Sequence, residues 1–127
     1  GATRFIEIAV TGARNRAEAR QVAMSVAKSV LFKTAIYGQD ANFGRIVCAI
    51  GYAGVPLDPG SVRVWMGDLE LVRDGGPYQV DEGRASEILA EREISVRIDL
   101  GLGDGEATVW TSDLSHAYVD INAHYRT

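Results

Sequence analysis

Ile94-Ser95-Val96-Arg97-Ile98-Asp99-Leu100 is the stretch whose reading decides the fold. Ile94, Val96, Ile98 and Leu100 take one side of an alternating pattern and Ser95, Arg97 and Asp99 the other, the period of a strand with one buried face. Beyond it lies Gly101 to Gly105, ending in the turn dipeptide Asp104-Gly105, and then a second strand pattern from Ala107 to Thr111. Such a turn between two strand patterns predicts a hairpin. Working toward the N-terminus, Asp81 is placed to cap a short helix carrying Ala85, Ile88 and Leu89. Val62, Val64 and Met66 alternate ahead of a short strand from Leu69 to Arg73, a second predicted hairpin.

Further upstream, Phe5 to Val10 alternates with Ile6, Ile8 and Val10 on one face, and Gly12 ends the pattern. Asn15 is a plausible N-cap for a helix on which Ala19, Val22, Ala23, Val26 and Ala27 recur at helical spacing. Val30 to Gly38 is apolar but has no clean period. Phe43 to Ala53 reads as another helix, opened by Asp40 or Asn42, and the glycines at 44, 51 and 54 suggest close packing there. A final strand is expected from Tyr118 to Ile121. The order predicts one α+β domain over residues 1–127, a two-layer sandwich with a mixed sheet and helices on one face. That architecture alone suits an enzyme, an amino-acid-binding module or a subunit-pairing module equally well.

Composition narrows the classes. The chain has 127 residues, 46% hydrophobic and 24% charged, with a net charge of −4. Acids and bases are mixed throughout and form no Lys/Arg stripe, so nucleic acid is not an expected partner. No apolar run approaches a membrane span. The single Cys48 excludes an internal disulfide, and with only His116 and His124 beside it no zinc spacing arises. A cytoplasmic, metal-free protein without a resident cofactor is expected. Gly1-Ala2-Thr3 runs almost directly into a strand pattern with no initiator Met, which reads as an interior point of a longer protein.

Catalytic constellations are few. Gly101, Gly103 and Gly105 superficially match a phosphate-binding loop, but such loops open a helix, and here strand patterns stand on both sides. Cys48 lies among Ile46, Val47, Ala49 and Ile50 and reads as a buried, inert thiol. His116 and His124, with Asp113, Asp120 and Ser112 or Ser115, could be drawn as an acid/base cluster, but they read as solvated surface. Thr3 has two residues before it, so its hydroxyl has no free α-amino group of its own to act as base.

Several segments, taken in order, resemble the ornithine acetyltransferase (glutamate N-acetyltransferase) family across nearly the whole chain. They are Gly1-Ala2-Thr3-Arg4-Phe5-Ile6, Lys33-Thr34-Ala35-Ile36, Asp40-Ala41-Asn42-Phe43-Gly44-Arg45, Asp99-Leu100-Gly101, Asp113-Leu114 and Tyr118-Val119-Asp120-Ile121-Asn122-Ala123. The ending His124-Tyr125-Arg126-Thr127 is also similar to the family's. Gln39, Ala41 and Phe43 stand where the family usually has Glu, Pro and Trp.

This resemblance implies the C-terminal portion of a β chain, its last strand reaching toward a catalytic domain. Family precursors cleave themselves before an internal threonine, which then carries the acetyl group between substrates. That threonine lies upstream of Gly1, so no catalytic residue is expected here and the chain alone should be inactive. The implied reaction moves acetyl from N-acetylornithine to glutamate in arginine biosynthesis, with acetyl-CoA a further donor in some members. Partners would be the upstream chains of the same precursor, in a heteromeric assembly. A substrate-recognising glutamate immediately precedes the Gly-Ala-Thr segment in the family. Two substrate-binding positions carry over, Asn122 and Thr127, whose amide and hydroxyl can each donate and accept toward an amino acid.

Overall fold

In the computed structural model, which describes residues 4–79 and 81–113, the first strand β1 (Phe5–Ala13) buries Ile6, Ile8 and Val10 completely while Phe5 stays half exposed. Asn15 then caps α1 (Arg16–Lys28) by accepting from the Glu18 amide at 2.9 Å. Its inward face is Ala19, Val22, Ala23, Val26 and Ala27, as the spacing predicts. The apolar Val30 to Gly38 stretch forms a third element that its pattern did not reveal: α2 (Val30–Tyr37), capped by Ser29. Phe32, Ala35 and Ile36 are its buried residues, whereas Val30 and Leu31 face outward, and these exposed apolar side chains blur the period.

The next helix, α3 (Phe43–Gly51), is opened by Asn42, whose side chain accepts from the Arg45 amide at 3.2 Å. It turns Ile46, Ala49 and Ile50 inward. Cys48 lies on the other side and is exposed, contrary to the buried thiol its apolar neighbours suggested. Of the three glycines expected to pack closely only Gly44 does, a Cβ there lying 3.3 Å from Asn42 Oδ1: at Gly51 it would meet nothing within 4 Å, and at Gly54 only the Gln21 side chain at 3.6 Å.

After a 3₁₀ turn at Pro59–Ser61 come β2 (Arg63–Met66) and β3 (Leu69–Arg73), the predicted antiparallel hairpin. A two-residue strand β4 (Gly76–Pro77) pairs with β3, and Asp81 caps α4 (Glu82–Leu89) through the Arg84 amide at 2.9 Å. The chain then forms β5 (Glu93–Asp99) and β6 (Gly105–Ser112).

The six strands among the described residues make one mixed sheet in the order β4-β3-β2-β5-β1-β6. The fold class agrees with the expectation, an α+β sandwich of one sheet and four helices. The predicted hairpin between the last two strands does not form. β1 lies between them, parallel to β5 (Ile6 beside Ile94) and antiparallel to β6 (Ile6 beside Thr111). The glycine-rich segment is therefore a crossover passing the end of β1, not a hairpin turn. Gly12 makes this possible: it sits at φ +70° in a register irregularity of β1, and its carbonyl accepts from the Leu102 and Gly103 amides at 2.6 and 3.0 Å. No helix follows this loop, so it lacks the geometry of a phosphate cradle.

Candidate functional site

The pairing of β1 with β6 sets the geometry at one end of the sheet. Because Phe5 pairs with Ser112, Arg4 and Asp113 come side by side at one end of the sheet. The Arg4 amide donates to Asp113 Oδ1 at 2.8 Å and the Asp113 amide donates back to the Arg4 carbonyl at 3.2 Å. The Arg4 guanidinium lies 3.4 Å from Asp113 Oδ2, while its Nε donates to the Leu89 carbonyl at 2.7 Å. Asp113 is 2% exposed. The solvated position expected for it is thus wrong: its carboxylate extends the β1–β6 ladder and holds Arg4 in place. No local signal could have shown this, since its partner lies at the opposite end of the sequence.

The other residues singled out beforehand divide in two. Asn122 and Thr127, the candidate substrate contacts, lie outside the described residues, as do Thr3, Ser115, His116, Asp120, His124 and the expected strand from Tyr118 to Ile121. The segments that fall within the description have local jobs in the fold. Asp40 to Arg45 joins α2 to α3: Asn42 caps α3, its amide Nδ2 donates to Asp40 Oδ2 at 3.4 Å, and Arg45 Nη1 reaches the Leu31 carbonyl at 3.0 Å. Gln39 precedes it with φ 57°, a left-handed position unusual for a side chain of that length. Asp99 to Gly101 ends β5, with Asp99 Oδ1 accepting from the Gly101 amide at 3.0 Å and the Leu100 carbonyl accepting from Ser61 Oγ at 2.6 Å.

A cleft of about 360 Å³ lies between the Gln39–Phe43 segment, β3 and α4, with Leu69, Leu71 and Phe43 on its walls and Asp40, Asp81 and Glu82 at its rim. The described residues hold no group of three or more His, Cys, Asp or Glu placed to bind a metal ion. Nor is any helix among them long and apolar enough to cross a membrane.

Among the described residues the most strongly perturbed ionisable group is Glu70 on β3, which is 5% exposed. Arg73 Nη2 and Arg63 Nε reach its carboxylate at 2.7 and 2.9 Å, and their hydrogen bonds lower its pKa from 4.5 to about 2 against the cost of burial. This fork fastens β2 to β3.

Comparison with known proteins extends these observations. The sequence model of the ArgJ family matches residues 1–127. The chain belongs to the ArgJ family. A Geobacter sulfurreducens relative named arginine biosynthesis bifunctional protein ArgJ is 50% identical over 128 residues, covering 100% of this chain and 33% of that protein. A Yarrowia lipolytica relative of the same name, designated mitochondrial, is 48% identical over 134 residues and is covered to 31%. The crystal structure of the Bacillus halodurans protein superimposes with a TM-score of 0.91 at 40% identity, covering 98% of this chain and 59% of that one. The ArgJ match agrees with the resemblance of the quoted segments and with the α+β sandwich. This chain spans about a third of the length of the curated ArgJ relatives.

Proposed function

We propose that this chain is one part of an acetyltransferase that moves an acetyl group from N-acetylornithine to glutamate, through an acetyl-threonine carried on an upstream chain of the same precursor. The observation that carries the reading is the Arg4–Asp113 junction. It fastens together the two points, Arg4 and Asp113, from which the stretches that the family resemblance assigns to a substrate site depart. The family's glutamate, just before Gly1, is within about 13 Å of chain from Arg4, and Asn122 is within about 30 Å of chain from Asp113. A domain that joins the bases of both stretches supports substrate contacts without supplying the nucleophile.

Asn122 and Thr127 are the residues we assign to substrate. An amide that donates and accepts suits the carboxylate and ammonium of an amino acid, and a hydroxyl can serve either. The chain needs no metal or resident cofactor of its own, and acetyl-CoA would enter as an alternative donor. Family membership supports the reaction, and the share of the relatives' length covered supports a larger assembly. The single cysteine fits a reducing compartment, and we assign the chain to the cytoplasm.

The test is acetyl transfer from N-acetylornithine to glutamate, followed as ornithine release, by the chain alone and after mixing with its upstream polypeptide. Activity only in the mixture, lost on Asn122→Ala, is expected. Activity of the chain alone would mean that the nucleophile lies within it. An assembled but inactive mixture that still binds amino acid would replace the reading with a non-catalytic binding module.

A further inference from the structure

Helices cover one face of the sheet, and the opposite face carries two tryptophans in different circumstances. Trp65 on β2 lies beneath the guanidinium groups of Arg63 at 4.6 Å and Arg97 at 4.2 Å from its ring centroid, and Arg63 is itself held by Glu70. Cations laid over an aromatic ring give it a wet outer surface, so this part of the face is suited to water. Trp110 on β6 is 72% exposed and has no such cover among the described residues. It stands opposite Glu7, with half-exposed Phe5 diagonally beside it. The two rings wall a shallow cleft of about 380 Å³ that also takes in Glu7 and Glu93, while Arg92 stands 5.7 Å from the Phe5 ring.

We propose that this Phe5–Trp110 corner is the surface on which the remaining two-thirds of the family-length protein docks. The inference rests on the reading of this chain as one part of a larger acetyltransferase. Three observations select the occupant and the place. Relatives are about three times as long as the segment they share with this chain, so on that reading the rest of such a protein offers a large partner surface. Arg4 adjoins Phe5, and Asp113, just past Trp110, closes on Arg4. Chain leading to the rest of the protein therefore departs beside these rings, and tethering there gives a partner surface a high effective concentration. Glu7 and Glu93, with Arg92 beside Phe5, call for an apolar partner surface carrying one or two basic side chains.

Val30, Leu31 and Tyr52 are also exposed apolar side chains, but they belong to the helical layer on the far side of the sheet from this corner. The two faces can be told apart directly. The 127-residue chain is labelled with 5-fluorotryptophan, its two resonances assigned with Trp65→Phe, and titrated with unlabelled upstream polypeptide. On binding, the Trp110 resonance should move and lose its H₂O/D₂O isotope shift while that of Trp65 stays. Trp110→Glu, at a position too exposed to disturb the core, should weaken binding about tenfold or more. Leu31→Glu should leave the affinity within about twofold.

A complex in which Trp110 does not respond, or in which Leu31→Glu is the damaging change, overturns the docking surface. If that complex transfers acetyl, the functional reading survives without it. A Trp110 shift that grows with the concentration of the chain alone means self-association and also overturns the proposal. Failure to form any complex, with no acetyl transfer, removes both.

Discussion

Asp113 shows how one side chain can fasten two distant stretches. Removing it would leave the Arg4 guanidinium and amide short of partners in a place that water reaches poorly. Breaking a buried pair from one side costs about 3–5 kcal/mol, so Asp113→Ala should lower the thermal midpoint by roughly 10 °C or more in calorimetry. Asp113→Asn, which keeps an oxygen for the Arg4 amide, should cost distinctly less. Equal losses for the two variants would mean that the charge, not the ladder-extending hydrogen bond, does the fastening.

Glu70 gives a pH signature of opposite origin. Its folded pKa of about 2 lies below the ordinary 4.5, so its ion pairs stabilise the fold above pH 4.5, and that contribution is lost as the pH falls from 4.5 toward 2. Glu70→Gln should therefore be less stable than the parent protein near neutrality, with the gap closing across that acid range in urea titrations. A gap independent of pH would show that Arg63 and Arg73 are not held through the carboxylate charge.

At the scale of the element, the helices that announce themselves do so through polar caps. Asn15, Asn42 and Asp81 each stand at the start of a helix that the sequence predicts, and each cap bond is present. α2 escaped because its first turn carries Val30 and Leu31 on the outside, which hides the apolar period. Cys48 was misread for a related reason: apolar neighbours in sequence are not neighbours in space on a helix, and its face points away from Ile46, Ala49 and Ile50. Under native conditions Cys48 should accordingly be alkylated by iodoacetamide at a rate approaching that of the unfolded chain. Strong protection would contradict this orientation.

The irregular end of β1 is equally specific. A side chain at Gly12 would collide with the Asp99 carboxylate and lie 2.7 Å from the Gly101 amide, at a φ of +70° that side chains seldom adopt. Gly12→Ala should cost more than about 1 kcal/mol, read from urea titration, whereas Gly51→Ala, facing open space inside a helix, should be neutral or stabilising.

For the whole molecule, strand identity was legible and strand order was not. Alternation marks β1, β2, β5 and β6 from local sequence, but nothing local tells β6 to bypass β5 and pair with a strand from the start of the chain. The Arg4–Asp113 junction, and with it the geometric case for the site, depends wholly on that long-range choice. The candidate contacts Asn122 and Thr127 were reachable only through family resemblance, since an asparagine or threonine near a strand carries no chemistry legible by itself. Hydrogen exchange should reflect the same arrangement. Amides of β1 and β5, flanked on both sides, should exchange last, while those of β4 and the outer edge of β6 should exchange early.

The insertion of β1 between β5 and β6 has a further consequence during synthesis. On the ribosome, the first strand emerges long before either neighbour, since Phe5 waits for Glu93 and Ser112. At ordinary translation speeds the delay is on the order of 4–20 s. Throughout it, Ile6, Ile8 and Val10 lack the β5 and β6 partners that flank them in the folded domain, so the nascent chain depends on α1 or a chaperone to shelter them until those two strands arrive.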